Sequence, residues 1–438
     1  MTTTGFLTDR YELSMVAGAL RSGRADAACV FEVFGRQLPP GRRFGVVAGH
    51  GRLFDAIAEF TFDDADVEWL RAEGFTDEPT LEYLRSYRFG GTIDGYPEGE
   101  VYFPLSPLLT IRGGFAECVV LETLVLSVLN HDCAVASAAA RMVLAARGRP
   151  LIDMGSRRTH EQAAVAAARA AHIAGFSTTS NLAAGRRYGI PTAGTASHAS
   201  ILLQGDEASA FGAQVAVFGP ATTLLVDTFD ISQGIRTAVE VGGPDLTAIR
   251  IDSGDLGSLA ESARRQLDDL GNPGTKILLS GDLDEYSISA LAASPVDAYG
   301  VGTSLVVGSG APTAGLVYKL VEVDGRPVSK RSDRKATIGG AKVGVRAQRA
   351  SGTALEEFVV AGDAMSSLPL DRGDVFRTIS EPLWRDGGPV GAGRADLPEA
   401  RARCAESLRS LPWEGLSLGH GEPAIPTTVL MPDGSVSA

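Results

Sequence analysis

The sequence lacks the features that mark several large classes of protein. Basic residues are outnumbered, 40 Lys and Arg against 53 Asp and Glu, and a formal net charge of −13 argues against nucleic acid or an anionic membrane as the main partner. The cysteines have neither CxxC nor Cys/His ligand spacing; they are Cys29, Cys118, Cys133 and Cys404. Scattered cysteines of this kind favour buried thiols in a reducing cytoplasm.

Long apolar segments and two common nucleotide-binding motifs are also missing. No charged-then-apolar signal segment opens the chain, so we expect a cytoplasmic protein. The most apolar run, Cys118 to Leu129, contains Glu122 and is too short to span a bilayer. No Walker A pattern occurs, nor a GxGxxG that follows a strand and opens a helix. ATP or NAD binding by either of these routes is therefore unsupported.

What is present is a chain of 438 residues with 44% hydrophobic and 21% charged residues, enough for more than one globular domain. Changes of pattern predict an N-terminal α+β domain (1–114), connecting helices (115–149), an α/β barrel (150–314) and a C-terminal part (315–438). We expect the connecting helices to break near Asn130–His131. The C-terminal part, with a hairpin turn at Asp324–Gly325, should complete the N-terminal domain and end in a loose tail from Pro423.

Residues 150–314 alternate between short apolar strands and helical patterns. The strand candidates are PLID, GFSTTS, GIPTAG, TTLLVDTF, AIRIDSG, KILLSGD and DAYGVGT. Strands separated by helices imply parallel βαβ units. Seven such strands, most of them ending in Gly, Asp or Thr, favour an irregular barrel over an open sheet.

Charged side chains follow several of these strands. Arg157 follows PLID and His198 follows GIPTAG. The helix after PLID should begin with a capping box formed by Thr159 and Gln162 and end at Gly175. Because α/β barrels keep their chemistry at the carboxyl ends of the strands, we expect a functional site there.

The stretch IRIDSGDLG combines an arginine and an aspartate at a strand-to-helix junction. Arg250 and Asp252 alternate along the strand, so both can face the barrel interior, and Ser253 and Gly254 follow as candidate substrate-binding residues. A cation beside an acid suits a ligand with a carboxylate and sugar hydroxyls. A purely structural Arg–Asp pair is the alternative.

Glycines follow the last two strand candidates. Gly281, Gly300 and Gly302 allow backbone N–H groups to approach an anion, and the helix that follows each turn would add its partial positive charge. Barrels commonly hold phosphate in the loops after the last two strands.

GTASH and VDTFD supply the remaining candidates. A histidine oriented by an aspartate becomes a better base or nucleophile, and His198 with Asp227 has that composition. Taken alone, a histidine such as His198 is more often structural than catalytic.

Eight segments together resemble one family. LTDRYELSM, DMGSRR, FSTTSN, GTASHA, VDTFD, IRIDSGDLG, SGDLDE and YGVGTSL occur in the order seen in nicotinate phosphoribosyltransferases, over about residues 5–335. The resemblance implies the irregular (β/α) barrel of type II phosphoribosyltransferases, with a discontinuous α+β domain. It also implies formation of nicotinate mononucleotide and pyrophosphate from nicotinate and phosphoribosyl pyrophosphate, coupled to ATP hydrolysis in NAD salvage.

The same resemblance implies roles for individual residues. His198 would be phosphorylated by ATP, and Asp227 would hold its imidazole. Arg250 would contact the nicotinate carboxylate, and Asp252 the ribose hydroxyls. Further substrate contacts would come from Gly281, Asp282, Gly302 and Thr303 around the 5-phosphate, from Arg157 against the pyridine or diphosphate, from Thr195 at the base of the pyridine pocket, and from Tyr11 of a second subunit.

Two positions bear on the pyridine. Many relatives have Phe where Met154 stands; a thioether can also cover an aromatic face. Nicotinamide-using relatives carry Asp where this chain has Ser180. Since an anionic Asp would repel nicotinate, the neutral Ser180 favours the acid over the amide.

The resemblance also implies Mg²⁺, ATP as a co-substrate and a homodimer with a shared active site, without nucleic acid or membrane partners. A nicotinamide- or quinolinate-using phosphoribosyltransferase on the same barrel is the enzymatic alternative. A phosphosugar-binding scaffold without catalysis is the alternative from another class.

Overall fold

The computed structural model describes residues 3–75, 77–330, 338–362, 364–433 and 435–437. The chain divides into two compact units. We call Met1–Ser137 with Ala311–Ala438 the outer unit, and Ala138–Gly310 the barrel unit. The predicted fold class, an irregular α/β barrel with a discontinuous α+β domain, is confirmed. The four segments predicted from the sequence, with their bounds, stay predictions.

The N-terminal part of the outer unit mixes short helices and strands. Its helices are α1 (Arg10–Arg21), α2 (His50–Ala58), α3 (Asp64–Ala72), α4 (Glu78–Ser86) and α5 (Phe115–Val119), and its strands are β1 (Ala28–Gly35), β2 (Gly45–Val46), β3 (Thr92–Gly95), β4 (Val101–Tyr102) and β5 (Leu109–Gly114). α3 begins with a capping box in which Asp63 and Asp66 satisfy each other's backbone N–H groups.

The connecting segment differs from the prediction. α6 (Glu122–Ala146) runs without interruption through Asn130 and His131, so the expected break there is wrong; a turn at Val120–Leu121 instead separates α5 from α6. Phe115–Ala146 is long and apolar enough to cross a bilayer, but 67% of its most apolar window is buried within the fold. That burial is typical of a core helix.

The barrel unit contains six parallel strands in the order β7-β6-β11-β10-β9-β8. They are β6 (Leu151–Asp153), β7 (Thr178–Thr179), β8 (Thr223–Leu225), β9 (Ala248–Ile251), β10 (Lys276–Leu279) and β11 (Ala298–Val301). The helices are α7 (Glu161–Ala174), α8 (Leu182–Tyr188), α9 (His198–Gln204), α10 (Glu207–Phe218), α11 (Ile231–Gly242), α12 (Leu256–Asp269), α13 (Glu285–Ala290) and α14 (Thr303–Val306). The core of the barrel unit includes fully buried residues of β9 and β10, namely Ile249, Ile251, Ile277 and Leu279.

One predicted strand is reduced to a single bridge. GIPTAG pairs with the sheet only through Thr179 and Thr192. Pro191 has no N–H to donate and therefore cannot extend the ladder. No strand pairing joins this bridge to β8 within residues 138–310, so the sheet leaves a seam between residues 192 and 223.

Two helix-capping predictions have different outcomes. α7 ends at Gly175 as predicted, with φ 125°. Its start is not capped by Thr159 and Gln162; His160 is the N-cap, and its Nδ1 accepts a hydrogen bond of 3.2 Å from the Gln162 N–H. The Gln162 side chain therefore plays no part in the cap.

The C-terminal part of the outer unit is mostly strand. Its elements are β12 (Leu316–Val323), β13 (Arg326–Pro327), β14 (Lys342–Gln348), β15 (Ala354–Ala361), β16 (Val375–Thr378), β17 (Glu381–Arg385), β18 (Gly388–Pro389), α15 (Leu397–Ser410), β19 (Thr427–Leu430) and β20 (Val436–Ser437). The predicted turn at Asp324–Gly325 joins β12 to β13, with both residues at positive φ. The segment predicted to form this hairpin is GLVYKLVEVDGRPVSKRS, which ends at Ser332, and its last two residues lie outside the described part.

The prediction of a loose tail is wrong for residues 427–430. β19 pairs in parallel with β15, and Val429 is 1% exposed. The outer unit holds a seven-stranded sheet, β13-β12-β1-β5-β3-β17-β18, and a five-stranded sheet, β16-β14-β15-β19-β20. β1 pairs antiparallel with β12 and β5, so this N-terminal strand lies between a C-terminal strand and another N-terminal strand.

Short 3₁₀ helices complete the fold. They are Gly155–Arg157, Gly243–Asp245, Leu291–Ala293, Ala364–Ser367, Leu370–Arg372, Gly391–Arg394 and Trp413–Leu416.

Candidate functional site

The predicted site residues of the barrel unit follow the carboxyl ends of its strands. Because all six strands are parallel, these ends share one edge of the sheet. Met154 follows β6, Ser180 follows β7, Asp252 follows β9 and Gly302 follows β11. The topology thus gathers residues that are far apart in the sequence.

Arg250 is the centre of a hydrogen-bonded cluster. Its Nε donates to Ser280 Oγ at 2.7 Å, its Nη1 to Thr195 Oγ1 at 2.9 Å and its Nη2 to Asp252 Oδ1 at 2.7 Å. A guanidinium has five N–H donors, so two are left over among the described residues. They belong to the terminal nitrogens, the pair that can bind a carboxylate through two hydrogen bonds.

Asp252 is held as an anion. Burial alone would raise the pKa of its carboxyl, but the Ser280 hydroxyl, which donates to Oδ1, and the Arg250 charge lower this pKa below its ordinary value. The Asp252 side chain is 33% exposed, against 12% for Arg250. The cluster therefore presents an ionised acceptor to solvent beside a more deeply held cation.

Asp227 joins two neighbouring strand ends. Its Oδ2 accepts hydrogen bonds from the Asp252 N–H at 2.9 Å and from Ser253 Oγ at 2.8 Å. Its Oδ1 is buried and has no hydrogen-bond partner among the described residues. Oδ1 faces His198, whose Nε2 lies 4.0 Å away, which is beyond hydrogen-bond range.

His198 is positioned chiefly by a residue that the sequence did not single out. Its Nδ1 lies 3.0 Å from Thr228 Oγ1. The His198 side chain is 42% exposed, whereas that of Asp227 is 1% exposed. The structure thus brings His198 and Asp227 together and adds Thr228, but it does not show the direct imidazole–carboxylate bond that was expected.

Glu207, the first residue of α10, is a second buried acid near Asp227. It is 6% exposed, and burial raises the pKa of its carboxyl, with further contributions from Asp230 and Asp227. A Cβ at Gly234 would lie 3.2 Å from both Glu207 carboxylate oxygens and 2.4 Å from the Val226 carbonyl oxygen. Glycine at 234 therefore lets α11 approach the start of the VDTFD loop.

The glycine turns provide close backbone approaches. Gly281 has φ +99°, and a Cβ there would lie 2.1 Å from the Asp252 carbonyl oxygen. The Met154 side chain packs against Gly300, where a Cβ would lie 2.7 Å from the thioether sulfur. Neither glycine can be replaced without moving its neighbour.

The helix N-termini contribute less to anion binding than the sequence suggested. Asp284 caps α13 and accepts hydrogen bonds from the Tyr286 and Ser287 N–H groups. α14 is only 4 residues long, and a single turn has a small dipole. Amides of the turns themselves, at Gly281–Asp282 and Gly302–Thr303, are the donors that remain for a phosphate.

Three acidic residues near the strand ends are helix caps. Asp230, Asp255 and Asp284 accept hydrogen bonds from the backbone N–H groups of Gln233, Ser258 and Ser287. Asp227 and Asp252 instead bond across strand ends.

Other predicted residues lie at the same edge without a direct link to the cluster. Arg157 ends the 3₁₀ helix after β6, and Ser180 follows β7; both are exposed. Within residues 138–310 neither side chain hydrogen bonds to another predicted site residue. Tyr11 belongs to α1 of the outer unit and is 48% exposed.

Asp153 supports the loop that carries Met154 and Arg157. Its carboxylate accepts hydrogen bonds from the Gly155 N–H at 2.8 Å and from Thr179 Oγ1 at 2.6 Å. Burial raises the pKa of Asp153, and the two hydrogen bonds oppose that rise. The sequence reasoning did not assign it a role, although an Asp that ends a buried strand was a usable signal.

A cavity of about 560 Å³ opens at the seam of the sheet beside Thr195. Gly194, Thr222, Gln214 and Phe218 contribute to its lining. Its mixed polar and apolar walls suit an aromatic ring with a polar substituent.

Ser280 is the most central residue that the sequence reasoning missed. It is 2% exposed and contacts both Arg250 and Asp252. A serine before a Gly–Asp turn reads as ordinary turn chemistry, so only its position directly after a strand could have singled it out.

No group of three or more His, Cys, Asp or Glu side chains among the described residues could hold a metal ion. A magnesium ion, however, is commonly held by one or two carboxylates together with substrate phosphates. Asp252, which is ionised and partly exposed, fits such a role.

Comparison with known proteins identifies relatives along the whole chain. The nicotinate phosphoribosyltransferase (NAPRTase) N-terminal domain model matches residues 6–130, and the quinolinate phosphoribosyl transferase C-terminal domain model matches residues 135–308. Nicotinate phosphoribosyltransferase pncB1 of Mycobacterium tuberculosis is 58% identical, covering 97% of this chain and 95% of that protein.

More distant relatives agree. Nicotinate phosphoribosyltransferase of Bacillus subtilis is 36% identical, covering 77% of this chain and 72% of that protein. The crystal structure of human nicotinic acid phosphoribosyltransferase superposes with a TM-score of 0.81 at 26% identity, covering 97% of each chain.

Proposed function

Because the chain belongs to the nicotinate phosphoribosyltransferase family, we propose that it joins nicotinate to the phosphoribosyl group of phosphoribosyl pyrophosphate in NAD salvage. The lone pair of the pyridine nitrogen attacks C1 of the sugar. The C1–oxygen bond breaks, and its electron pair leaves with pyrophosphate. The products are nicotinate mononucleotide and pyrophosphate.

The observation that carries this proposal is the spare hydrogen-bonding capacity of Arg250. Two N–H groups on its terminal nitrogens are unused among the described residues, while Ser280, Thr195 and Asp252 fix the remaining three. A carboxylate on an aromatic ring is the matching ligand, since it accepts two parallel hydrogen bonds in one plane.

Asp252 and the glycine turns would hold the sugar phosphate. The ionised Asp252 carboxylate would accept hydrogen bonds from the ribose hydroxyls, and its charge would favour the positive charge that develops on the sugar ring. Backbone amides at Gly281, Asp282, Gly302 and Thr303 would bind the 5-phosphate. Ser253 and Gly254 would line the sugar, and Met154 with Thr195 the pyridine.

Magnesium would be held by Asp252 together with substrate phosphates, and its charge would stabilise the leaving diphosphate. Arg157, exposed at the same edge, would contribute a second positive charge there.

ATP would act through His198. Transfer of the γ-phosphoryl group to a ring nitrogen breaks the bond to ADP and forms a P–N bond, and hydrolysis of that bond would drive nucleotide formation. His198 is accessible, and Thr228 and Asp227 lie on either side of its imidazole, which supports this role.

His198→Ala tests the ATP role. In this variant nicotinate mononucleotide should still form, but ATP should no longer stimulate its formation, and no acid-labile phosphoprotein should accumulate. His160→Ala, an exposed histidine at a helix cap, is the control. Stimulation of the His198→Ala enzyme equal to that of the wild type would refute the assignment.

Quinolinate is a second candidate substrate, because the model matched by residues 135–308 is that of quinolinate phosphoribosyl transferase. Steady-state turnover of nicotinate, nicotinamide and quinolinate by one enzyme preparation separates the candidates. We expect nicotinate to be preferred. Ser180→Asp should shift the preference towards nicotinamide, because a new carboxylate repels the nicotinate anion; an unchanged ratio would remove Ser180 from the substrate site.

We further infer a cytoplasmic homodimer in which Tyr11 of one subunit completes the pyridine site of the other. The exposed ring of Tyr11 supports this inference. Mixing Tyr11→Ala protein with Arg250→Ala protein tests it: recovered activity in the mixed dimers is expected, since each dimer would contain one intact shared site.

A further inference from the structure

Ser280 lies where the two substrate-binding groups meet. It follows β10 directly, and its backbone N–H donates to the Ile251 carbonyl oxygen at 3.0 Å, which fixes it beside the end of β9. Its side chain is enclosed, with 2% of the residue exposed. The hydroxyl therefore cannot exchange its partners for water without a movement of the strand ends.

The hydroxyl has only one proton, so its partners determine one another. It donates to Asp252 Oδ1 and must therefore accept from Arg250 Nε, which lies 2.7 Å away. Asp252 Oδ1 also accepts from Arg250 Nη2 at 2.7 Å. The three side chains form a closed ring of hydrogen bonds, so a change in the position of one side chain shifts the other two.

We propose that Ser280 is a positioning residue that makes the binding of the two substrates interdependent, by holding the Arg250 guanidinium and the Asp252 carboxylate in one geometry. This inference rests on the proposed function, in which Arg250 binds the nicotinate carboxylate and Asp252 the ribose hydroxyls.

The ring explains how the coupling works. Ribose hydroxyls that donate to Asp252 fix its carboxylate, and through the ring they fix the Arg250 guanidinium, whose two unused N–H groups bind the nicotinate carboxylate. Ser280 still holds Nε, so the guanidinium keeps its plane. Without that anchor the guanidinium can turn, and sugar binding no longer prepares the pyridine site.

The test measures the binding of nicotinate to the full-length protein by calorimetry, with and without saturating ribose 5-phosphate, which carries the ribose hydroxyls and the 5-phosphate but no leaving group. In the wild type we expect ribose 5-phosphate to tighten nicotinate binding by about 5-fold or more, within the range usual for coupled sites. In Ser280→Ala the effect should fall below about 2-fold.

Matched variants separate the hydroxyl from the shape of the side chain. Ser280→Cys keeps the approximate size of the side chain but hydrogen bonds weakly, so it should behave like Ser280→Ala. It replaces Ser280→Ala in the test if the alanine variant does not fold. Ser280→Thr keeps the hydroxyl and should retain the coupling. A merely structural role would lower the melting temperature of the variants and leave the coupling intact.

Two results would overturn the inference: equal tightening in the wild type and in Ser280→Cys, or no tightening in a wild type that makes nicotinate mononucleotide. Both leave the proposed function standing. A wild type that releases no pyrophosphate from nicotinate and phosphoribosyl pyrophosphate would instead refute the proposed function itself.

Discussion

Each unit contains a cluster in which arginine side chains pair with carboxylates, and the two clusters differ in what they do. In the outer unit, Arg346 is fully buried between Glu100 and Glu357, and its Nη2 also donates to the Val101 carbonyl oxygen at 2.9 Å. Arg377 adds a second cation, 2.9 Å from Glu100 Oε2. In the barrel unit, Arg250 and Asp252 form a comparable pair.

The clusters differ in how completely their members are satisfied. The Glu100 carboxylate is 1% exposed and also accepts a hydrogen bond from Ser407; burial opposes its ionisation, but the charges of Arg346 and Arg377 lower its pKa. Around Arg250 two N–H donors remain, and Asp252 is one third exposed. A closed charge cluster specifies a fold, whereas one with spare donors on its open side can bind a ligand.

The largest effect should come from breaking the closed cluster. Arg346→Met would leave Glu100 and Glu357 buried without their shared cation, and loss of one partner of a buried ion pair costs about 3–5 kcal/mol. The loss is measured as a decrease in the free energy of unfolding of the outer unit, obtained from urea denaturation. Arg377→Met is the control: its side chain is 40% exposed, so a smaller loss is expected. Equal losses of unfolding free energy in the two variants would contradict a difference between fully buried and partly exposed ion pairs.

Arg250→Lys tests the open cluster. Lysine keeps the positive charge but loses the planar pair of donors, and a hydrogen bond to a charged group contributes about 1.5–3 kcal/mol. We expect kcat/KM for nicotinate to fall by about 10- to 100-fold. Stability in urea should change little, because Asp252 can be solvated. A large loss of stability with normal kcat/KM would show that Arg250 and Asp252 form a structural ion pair.

Gly281→Ala should disturb the phosphate turn by crowding. A left-handed conformation and a Cβ at 2.1 Å from the Asp252 carbonyl oxygen together require a local shift, with a strain of about 1–3 kcal/mol. We expect KM for phosphoribosyl pyrophosphate to rise about 5- to 10-fold. Gly271→Ala is a matched control, since Gly271 has φ +80° but no atom within 4 Å of its Cβ position. Similar KM values in both variants would exclude the steric explanation.

The smallest effect concerns acid pH. Since the pKa of Asp252 is lowered, its stabilising contact with Arg250 is present above the ordinary aspartate pKa of about 3.9 and is lost as the pH falls through the lowered value. The Asp252 carboxyl, followed by NMR, should therefore titrate below that ordinary value. Ser280→Ala removes one of the interactions that lower this pKa and should move the titration of Asp252 to higher pH; an unchanged titration would show that Ser280 does not lower it.

The sequence allowed a prediction of which residues share one edge of the sheet, because parallel strands bring their carboxyl ends together. Arg250, Asp252 and Thr195 are in hydrogen-bond contact, and that contact follows from the strand order and the two-residue alternation of β9. Ser280 and Thr228 were missed because serine and threonine are common in turns. Their contacts depend on three-dimensional register, which local sequence does not determine.

The helix caps formed by acidic residues near the strand ends were predictable from the sequence. Asp230, Asp255 and Asp284 each begin a helix and cap it through the residue three positions later, a spacing visible in the sequence. The capping box predicted for α7 failed because His160 took its place. The break expected at Asn130–His131 failed because tertiary packing overrides the weak helix propensity of those two residues.

The seam in the barrel sheet has a consequence for how such enzymes diversify. Residues 193–222, which include His198, connect two sheet edges that are not paired with each other in the described structure. Substitutions there break no strand ladder. Apart from Thr195, which hydrogen bonds to Arg250, the part of the chain that would link ATP use to synthesis can therefore change without disturbing the strand pairing that positions the transfer site.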